Sequence, residues 1–195
     1  MAPAHFLPAG TRHLILDRDG VLNEEAPAQG YVLRPADFKW LPGSREALAI
    51  LSKAGLRISV VSNQSAVGRG LMSQAQLDQV LDTMRSQAEA AGAHISAVYC
   101  CPHAPAAHCD CRKPAPGLVR RAVAESGIGA AQTLLVGDDV RDVEAARAAG
   151  VAAALVRTGK GVEAAAALTE RGEILPVFDD LAQVAQTLLR TSRTG

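Results

Sequence analysis

The stretch His13-Leu14-Ile15-Leu16-Asp17-Arg18-Asp19-Gly20 runs from a short apolar segment into two acids two positions apart and then a glycine. A brief apolar run stopped by polar and turn-forming residues is the pattern of a strand buried on both faces, so His13–Leu16 reads as a central strand of a parallel sheet. On an extended chain alternate side chains point the same way, which brings Asp17 and Asp19 towards one site, and Gly20 lets the chain turn away sharply. Working outward, similar runs recur at 57–62, 97–100, 133–136, 152–156 and 175–178. Between them, 44–54, 73–91, 116–126, 140–149, 162–171 and 179–189 repeat apolar residues at three and four positions. Strand and helix in alternation predict a three-layer, Rossmann-like α/β sandwich with a mostly parallel sheet. Two segments break the alternation, 21–41 and 101–114. Both follow strands, so both project from the edge where an open α/β sheet takes its ligands. No insert is long enough for a large cap, and these two loops are expected to wall the pocket.

The whole 195-residue chain reads as one domain, with loose ends at about 1–10 and 190–195. At 48% hydrophobic residues it is apolar enough to bury a core, and general disorder is excluded. Twenty Lys and Arg balance twenty Asp and Glu, without the basic stripe that a nucleic-acid or membrane-surface partner requires. No apolar run approaches the roughly 20 residues of a membrane span, and the first ten residues do not read as a signal peptide. The expectation is a cytoplasmic monomer. All four cysteines fall between Cys100 and Cys111, too close together to staple a fold of this size. That clustering points to metal chemistry in a reducing compartment.

The candidate chemistry lies at strand ends. In a pair such as Asp17 and Asp19, one carboxylate can attack phosphorus while the other protonates the leaving oxygen and later deprotonates water. Alone, the tetrapeptide would serve equally as a solvated turn. Further along, Ser62-Asn63-Gln64-Ser65 offers a hydroxyl and backbone N–H groups to phosphoryl oxygens. Arg112-Lys113-Pro114 supplies cations, and Gly137-Asp138-Asp139-Val140-Arg141-Asp142 supplies hard oxygen ligands for Mg²⁺. It is this ordered set, each member at a strand end or just beyond, that points to phosphoryl transfer.

Cys101-Pro102-His103 and Cys109-Asp110-Cys111 together provide the thiolate and imidazole set that Zn²⁺ takes in a closed tetrahedral site. A structural zinc would hold a loop, 101–111, too poor in apolar residues to fold by itself. Cys100 reads as a small buried hydrophobe, and His108 as a competing ligand beside the better-placed Cys109. A disulfide or scattered thiols are the alternatives.

The four segments resemble the four motifs of the haloacid dehalogenase superfamily of phosphatases, and the resemblance covers nearly the whole chain. It implies that Asp17 is the nucleophile, Asp19 the general acid/base, Ser62 the phosphoryl-binding hydroxyl and Lys113 the stabilising cation. It also implies Mg²⁺ held by the Asp17 carboxylate, the Asp19 carbonyl and Asp138, with Asp142 acting through water or by orienting its neighbours. The cysteine loop narrows the resemblance to the group that contains heptose-1,7-bisphosphate and histidinol-phosphate phosphatases. The short separation of His103 from Cys109 is more like the histidinol-phosphate enzymes. Gly30-Tyr31-Val32, Gly68-Arg69-Gly70 and Val156-Arg157-Thr158-Gly159-Lys160 are more like the heptose enzymes, and this reading leads. It implies removal of a sugar bisphosphate's 7-phosphate in nucleotide-heptose synthesis for a surface glycan, with substrate contacts from Gln29, Gly30, Tyr31, Asn63, Gln64, Ser65 and Arg112. One departure is Asp139, where the heptose enzymes often carry lysine. Either the metal draws closer or another cation such as Arg141 compensates.

Other residues read plainly. Phe38 and Trp40 form a hydrophobic anchor before a helix, Met72 and Met84 fill core, and His5, His13 and His94 are surface or strand residues. Arg120-Arg121 is a solvated helix face. Two other readings are a zinc-loop nucleic-acid module, disfavoured by the neutral charge and few aromatics, and a receiver-like domain, which would be much shorter.

Overall fold

The computed structural model describes residues 7–8, 10–25 and 30–191. Strand and helix alternate along the chain: β1 (His13–Leu16), α1 (Ser44–Lys53), β2 (Arg57–Asn63), α2 (Gln74–Ala90), β3 (Ala97–Cys101) and α3 (Gly117–Ser126). The second half continues with β4 (Thr133–Gly137), α4 (Val140–Ala148), β5 (Ala152–Val156), α5 (Gly161–Glu170), β6 (Val177–Phe178) and α6 (Leu181–Thr191). The six strands form one sheet in the order β3-β2-β1-β4-β5-β6, parallel throughout. The expected α/β sandwich is therefore what forms.

The layers follow from alternation along the strands. Leu14, Leu16, Ile58, Val60, Leu134 and Val136 pack into one core with α1, α2 and α6 residues such as Leu48, Leu77 and Val184. Their neighbours Ile15, Val61 and Leu135 face the other way, onto Val119 and Ala122 of α3 and Ala145 and Ala146 of α4. Alanine suits that second face because its small side chain lets a helix lie close to a sheet. Helix starts are chemically marked. Ser73 accepts from the N–H of Gln76 while Gln76 reaches back to Ser73 N, a capping box at the start of α2.

Chain reversal at β1 sets the site's position. The strand order turns outward on either side of β1, to β2 on one flank and β4 on the other. The crevice beyond their C-terminal ends is where such sheets bind ligands. Among the described residues, no helix is long and apolar enough to cross a membrane.

Candidate active site

Asp17 extends the β1 ladder by one residue, its N–H donating to Val136 O at 3.0 Å. Its Oδ1 accepts from Arg18 N at 2.7 Å and lies 3.0 Å from Lys113 Nζ. Lys113 is almost wholly buried; its Nζ also donates to Val61 O at 2.8 Å and pairs with Asp142 Oδ1 at 2.6 Å. Burial disfavours its charge, yet Asp142 and Asp17 outweigh burial and hold the ammonium above its ordinary range. Asn63 brackets the lysine backbone: its Nδ2 donates to Lys113 O and its Oδ1 accepts from Lys113 N, both at 3.0 Å. Lys113 thus reaches Asp17 because β2 holds the end of the cysteine loop in place.

Asp138, at the end of β4, accepts from Lys160 N at 2.9 Å. Gly20, at φ 82°, and Gly159 let two loops close around this carboxylate, where a Cβ on either would collide with it. Thr158 Oγ1 pins the approach by donating to Gly20 O at 2.6 Å. Oxygens of Asp17, Asp138 and Asp142 all lie within 4.8 Å of one another. Burial, then Asp142 and Asp19, push Asp17 up to about 6 against the pull of Lys113. Burial and Asp17 push Asp138 up to about 8. Three acids against one ammonium leave an excess of negative charge on hard oxygen donors, which fits a divalent cation such as Mg²⁺.

Asp19 is held differently. Arg18 donates to it from Nε (3.2 Å) and Nη2 (2.8 and 2.9 Å), Asn23 from Nδ2 (2.9 Å) and Gln64 from Nε2 (2.8 Å). Burial alone would raise its pKa, but the Arg18 charge and these hydrogen bonds hold it below the usual carboxylate range.

These groups open into a cavity of about 240 Å³. Asp17, Asp19, Ser62, Lys113, Asp138 and Asp142 line its floor; Gly30, Tyr31, Asn63, Ser65 and Arg112 line its wall. Tyr31 Oη and Ser65 Oγ sit 3.3 Å apart, tying the first loop to β2. Gln64 is not on the wall. Its amide turns inward and its Nε2 donates to both Asp19 and Ser62 Oγ (2.8 Å). Gln29 lies outside the described residues, as does His5.

Asp139 sits at the mouth, and the structure shows what answers its charge. Arg141 grips it from Nε at 3.0 Å and Nη2 at 2.6 Å, and Asp139 caps α4 by accepting from Arg141 N. Asp142 completes the capping box by accepting from Asp139 N. Lys160 joins Arg141 and Arg112 at the cavity and pairs with Glu25 at 2.5 Å.

The cysteine loop closes on itself. Cys101, Cys109 and Cys111 Sγ are 3.2–3.5 Å apart, and His103 Nδ1 lies 3.2 Å from Cys111 Sγ. Zn–S bonds of about 2.3 Å in a tetrahedron require only slightly wider sulfur spacing, so the set fits Zn²⁺. His108 is not in the cluster. Cys100 packs against the apolar core but is half-buried, where the sequence suggested full burial.

Comparison with known proteins agrees with this geometry. A HAD-hydrolase-like family model matches residues 110–184. A D-glycero-β-D-manno-heptose-1,7-bisphosphate 7-phosphatase of Pseudomonas putida is 40% identical over 90% of this chain and 98% of its own length. The enzyme of the same name from Bordetella bronchiseptica is 39% identical, over 91% and 97%. The chain belongs to this phosphatase family. A crystal structure described as the D,D-heptose 1,7-bisphosphate phosphatase of B. bronchiseptica with magnesium and phosphate superposes with a TM-score of 0.85. It is 38% identical and covers 92% of this chain and 98% of that one. Membership makes the chain a phosphatase of the haloacid dehalogenase superfamily.

Sequence reasoning missed two buried residues that hold Asp19, Arg18 and Asn23. The signal for Arg18 was available: it alternates with the two acids, so it points into the interior, where an arginine must be paired. Lys160 and Glu25 at the mouth carried no such signal, because only the folded loops bring them together.

Proposed function

We propose that this chain removes the 7-phosphate of D-glycero-β-D-manno-heptose 1,7-bisphosphate and retains the 1-phosphate, on the way to a nucleotide-activated heptose for a surface glycan. The observation that carries the reading is Asp17, half-buried at a sheet switch point against Lys113 and beside two further carboxylates. The names of the relatives support the substrate and its β anomer. The whole chain acts as one domain, as a monomer in the cytoplasm.

Asp17 attacks phosphorus as the bond to the sugar's C7 oxygen breaks, and Asp19 gives that oxygen a proton. Lys113 and Ser62 hold the phosphoryl oxygens, and Lys113 keeps Asp17 ionised. Asp19 then takes a proton from water, whose oxygen displaces Asp17 and releases phosphate. Asp17, Asp138 and the Asp19 carbonyl would hold Mg²⁺, which would supply charge neutralisation at the phosphoryl group. Asp142 acts by orienting Lys113. Tyr31, Ser65 and Arg112 line the wall that meets the sugar and its far phosphate, with Gln29 and Gly30 in the same loop. Gln64 acts from behind, through Ser62 and Asp19.

A phosphate-release panel tests this: both anomers of the heptose bisphosphate, fructose bisphosphate and histidinol phosphate. The β anomer should lead in kcat/KM, leaving the 1-phosphate intact. Histidinol phosphate in the lead would overturn the substrate assignment.

A further inference from the structure

Arg18 has no solvent exposure, and its guanidinium is committed to the carboxylate of the next residue, touching both oxygens of Asp19. Asn23 is equally buried and Gln64 nearly so. Every side-chain group on the Asp19 oxygens is thus a nitrogen donor, and none of the three donors is free to solvent. Gln64 shares its donor with Ser62 Oγ, so the seat of Asp19 is tied to the hydroxyl beside it. Deep in the same place, Arg18 Nη1 and Asn23 Oδ1 find no hydrogen-bond partner among the described residues. Burying a charge this way is expensive, and an apolar residue of similar size would pack the interior at lower cost.

We propose that Arg18 is a positioning residue for Asp19: its buried fork, completed by Asn23 and Gln64, fixes where this carboxyl group stands at the cavity, so that it can give a proton to the leaving oxygen and take one from water. The proposal rests on the nucleophile and acid/base roles given above. The two halves make opposite demands. In the first, the Asp17–phosphorus bond forms, the bond from phosphorus to the sugar oxygen breaks, and that oxygen leaves with the proton of the Asp19 carboxyl. In the second, water bonds to phosphorus, the Asp17–phosphorus bond breaks, and water's proton goes to Asp19. Arg18, Asn23 and Gln64 hold both Asp19 oxygens, so the same three side chains fix the place from which the proton leaves and to which it returns.

The test uses the full chain with Mg²⁺ and two substrates: the heptose bisphosphate and p-nitrophenyl phosphate, whose leaving group departs without a proton. Arg18→Met should lower kcat by roughly 10- to 100-fold on both, with kcat/KM reduced less than about threefold on the nitrophenyl ester alone, whose first half needs no proton. Nitrophenolate should then appear in a burst approaching one per chain, and labelled phosphate should be recovered on Asp17 after acid quenching. Arg18→Lys keeps the cation without the fork and should fall between. Equal losses in kcat and kcat/KM on the nitrophenyl ester, with no burst, would reduce Arg18 to a structural part, and an unchanged kcat would remove it altogether. If Arg18→Met does not fold, Asn23→Ala decides by the same split: a smaller burst supports the seat and equal losses reject it. Wild type that turns over only the nitrophenyl ester sinks the heptose reading and leaves this comparison readable.

Discussion

The three central strands β2, β1 and β4 carry buried polar residues at both ends, and the two ends behave in opposite ways. Towards the N-terminal end, His13 lies between Ser59 Oγ (3.0 Å from Nε2) and Thr133 Oγ1 (3.3 Å from Nδ1), with all three side chains buried. Burial, helped by the charge of Arg57, pushes the imidazole down to about 4, so it is neutral and its polar atoms are spent on neighbours. At the C-terminal end, Asp17 and Asp138 crowd Asp142 with a single ammonium among them, and both are pushed up. One cluster is closed and neutral; the other is short of positive charge that only a ligand can bring. Burial and polarity alone therefore do not mark a site, whereas unanswered charge beside a cavity does.

The largest expected effect breaks this pairing at Asp17. Asp17→Asn should lower kcat by roughly 10⁴-fold or more, as loss of a nucleophile does, while His13→Gln leaves kcat within about twofold. Because Asp17 is destabilised where it stands, the asparagine variant should also melt a few degrees above wild type in Mg²⁺-free buffer. Phosphate release and thermal melts on the same preparations check both. Turnover retained in Asp17→Asn would end the assignment of the nucleophile.

A smaller effect is expected at the cysteine loop, which β2 and the turn after it hold near its two ends, at Pro102 and Lys113. The carboxylates stand on strand ends, but between β3 and Lys113 the loop has a single 3-10 turn, Pro105–Ala107, and no buried residue in it. Zinc is then the loop's main cross-link, and Arg112 and Lys113 follow directly after Cys111. Cys109→Ser should lose zinc and reduce kcat/KM by about 10²-fold, beyond rescue by added Mg²⁺, with the sheet's circular dichroism retained. Asn63 still brackets Lys113 in that variant, so the loss should stay below that of Asp17→Asn. Full activity without zinc would show that β2 alone places the lysine.

The same contrast explains what could be read without coordinates. Asp17, Ser62 and Asp138 were legible because each ends or follows an apolar run, and strand ends converge in a parallel sheet; Lys113 was legible from its place after the cysteine segment in the ordered set. Element boundaries moved where the ladder outlasts the apolar run. Strand β2 continues to Asn63 and β3 to Cys101, since backbone pairing of Ser62 with Cys100 and Asn63 with Cys101 does not depend on side-chain hydropathy. Strand β6 is shorter than expected, two residues instead of four, because only Val177 and Phe178 find a partner in β5. Gln64 looked like a wall residue because its neighbours are; its inward turn depends on Asp19 offering an acceptor behind the wall. Likewise nothing in the spacing of His13, Ser59 and Thr133 announces a cluster, because their meeting depends on strand order.

The smallest effect sharpens the comparison at that quiet end. Folded His13 binds its proton near pH 4, whereas the unfolded chain binds it near 6.5. Between those values the unfolded state holds more protons, so acid favours unfolding. The contribution is fully present above about pH 6.5 and is lost as pH falls towards 4. At pH 5 the loss comes to about 2 kcal/mol. Asp17 and Asp138 have the opposite sign, being raised in the folded state, and gain stability on acidification. The wild-type slope alone therefore mixes the two ends. His13→Gln separates them, since it keeps a polar side chain between Ser59 and Thr133 but cannot titrate. Urea unfolding at pH 7.5 and 5.0 should show wild type losing about 2 kcal/mol more than the variant. If the two lose equally, the imidazole is protonated inside the sheet, and the N-terminal end is no longer the neutral counterpart of the catalytic one.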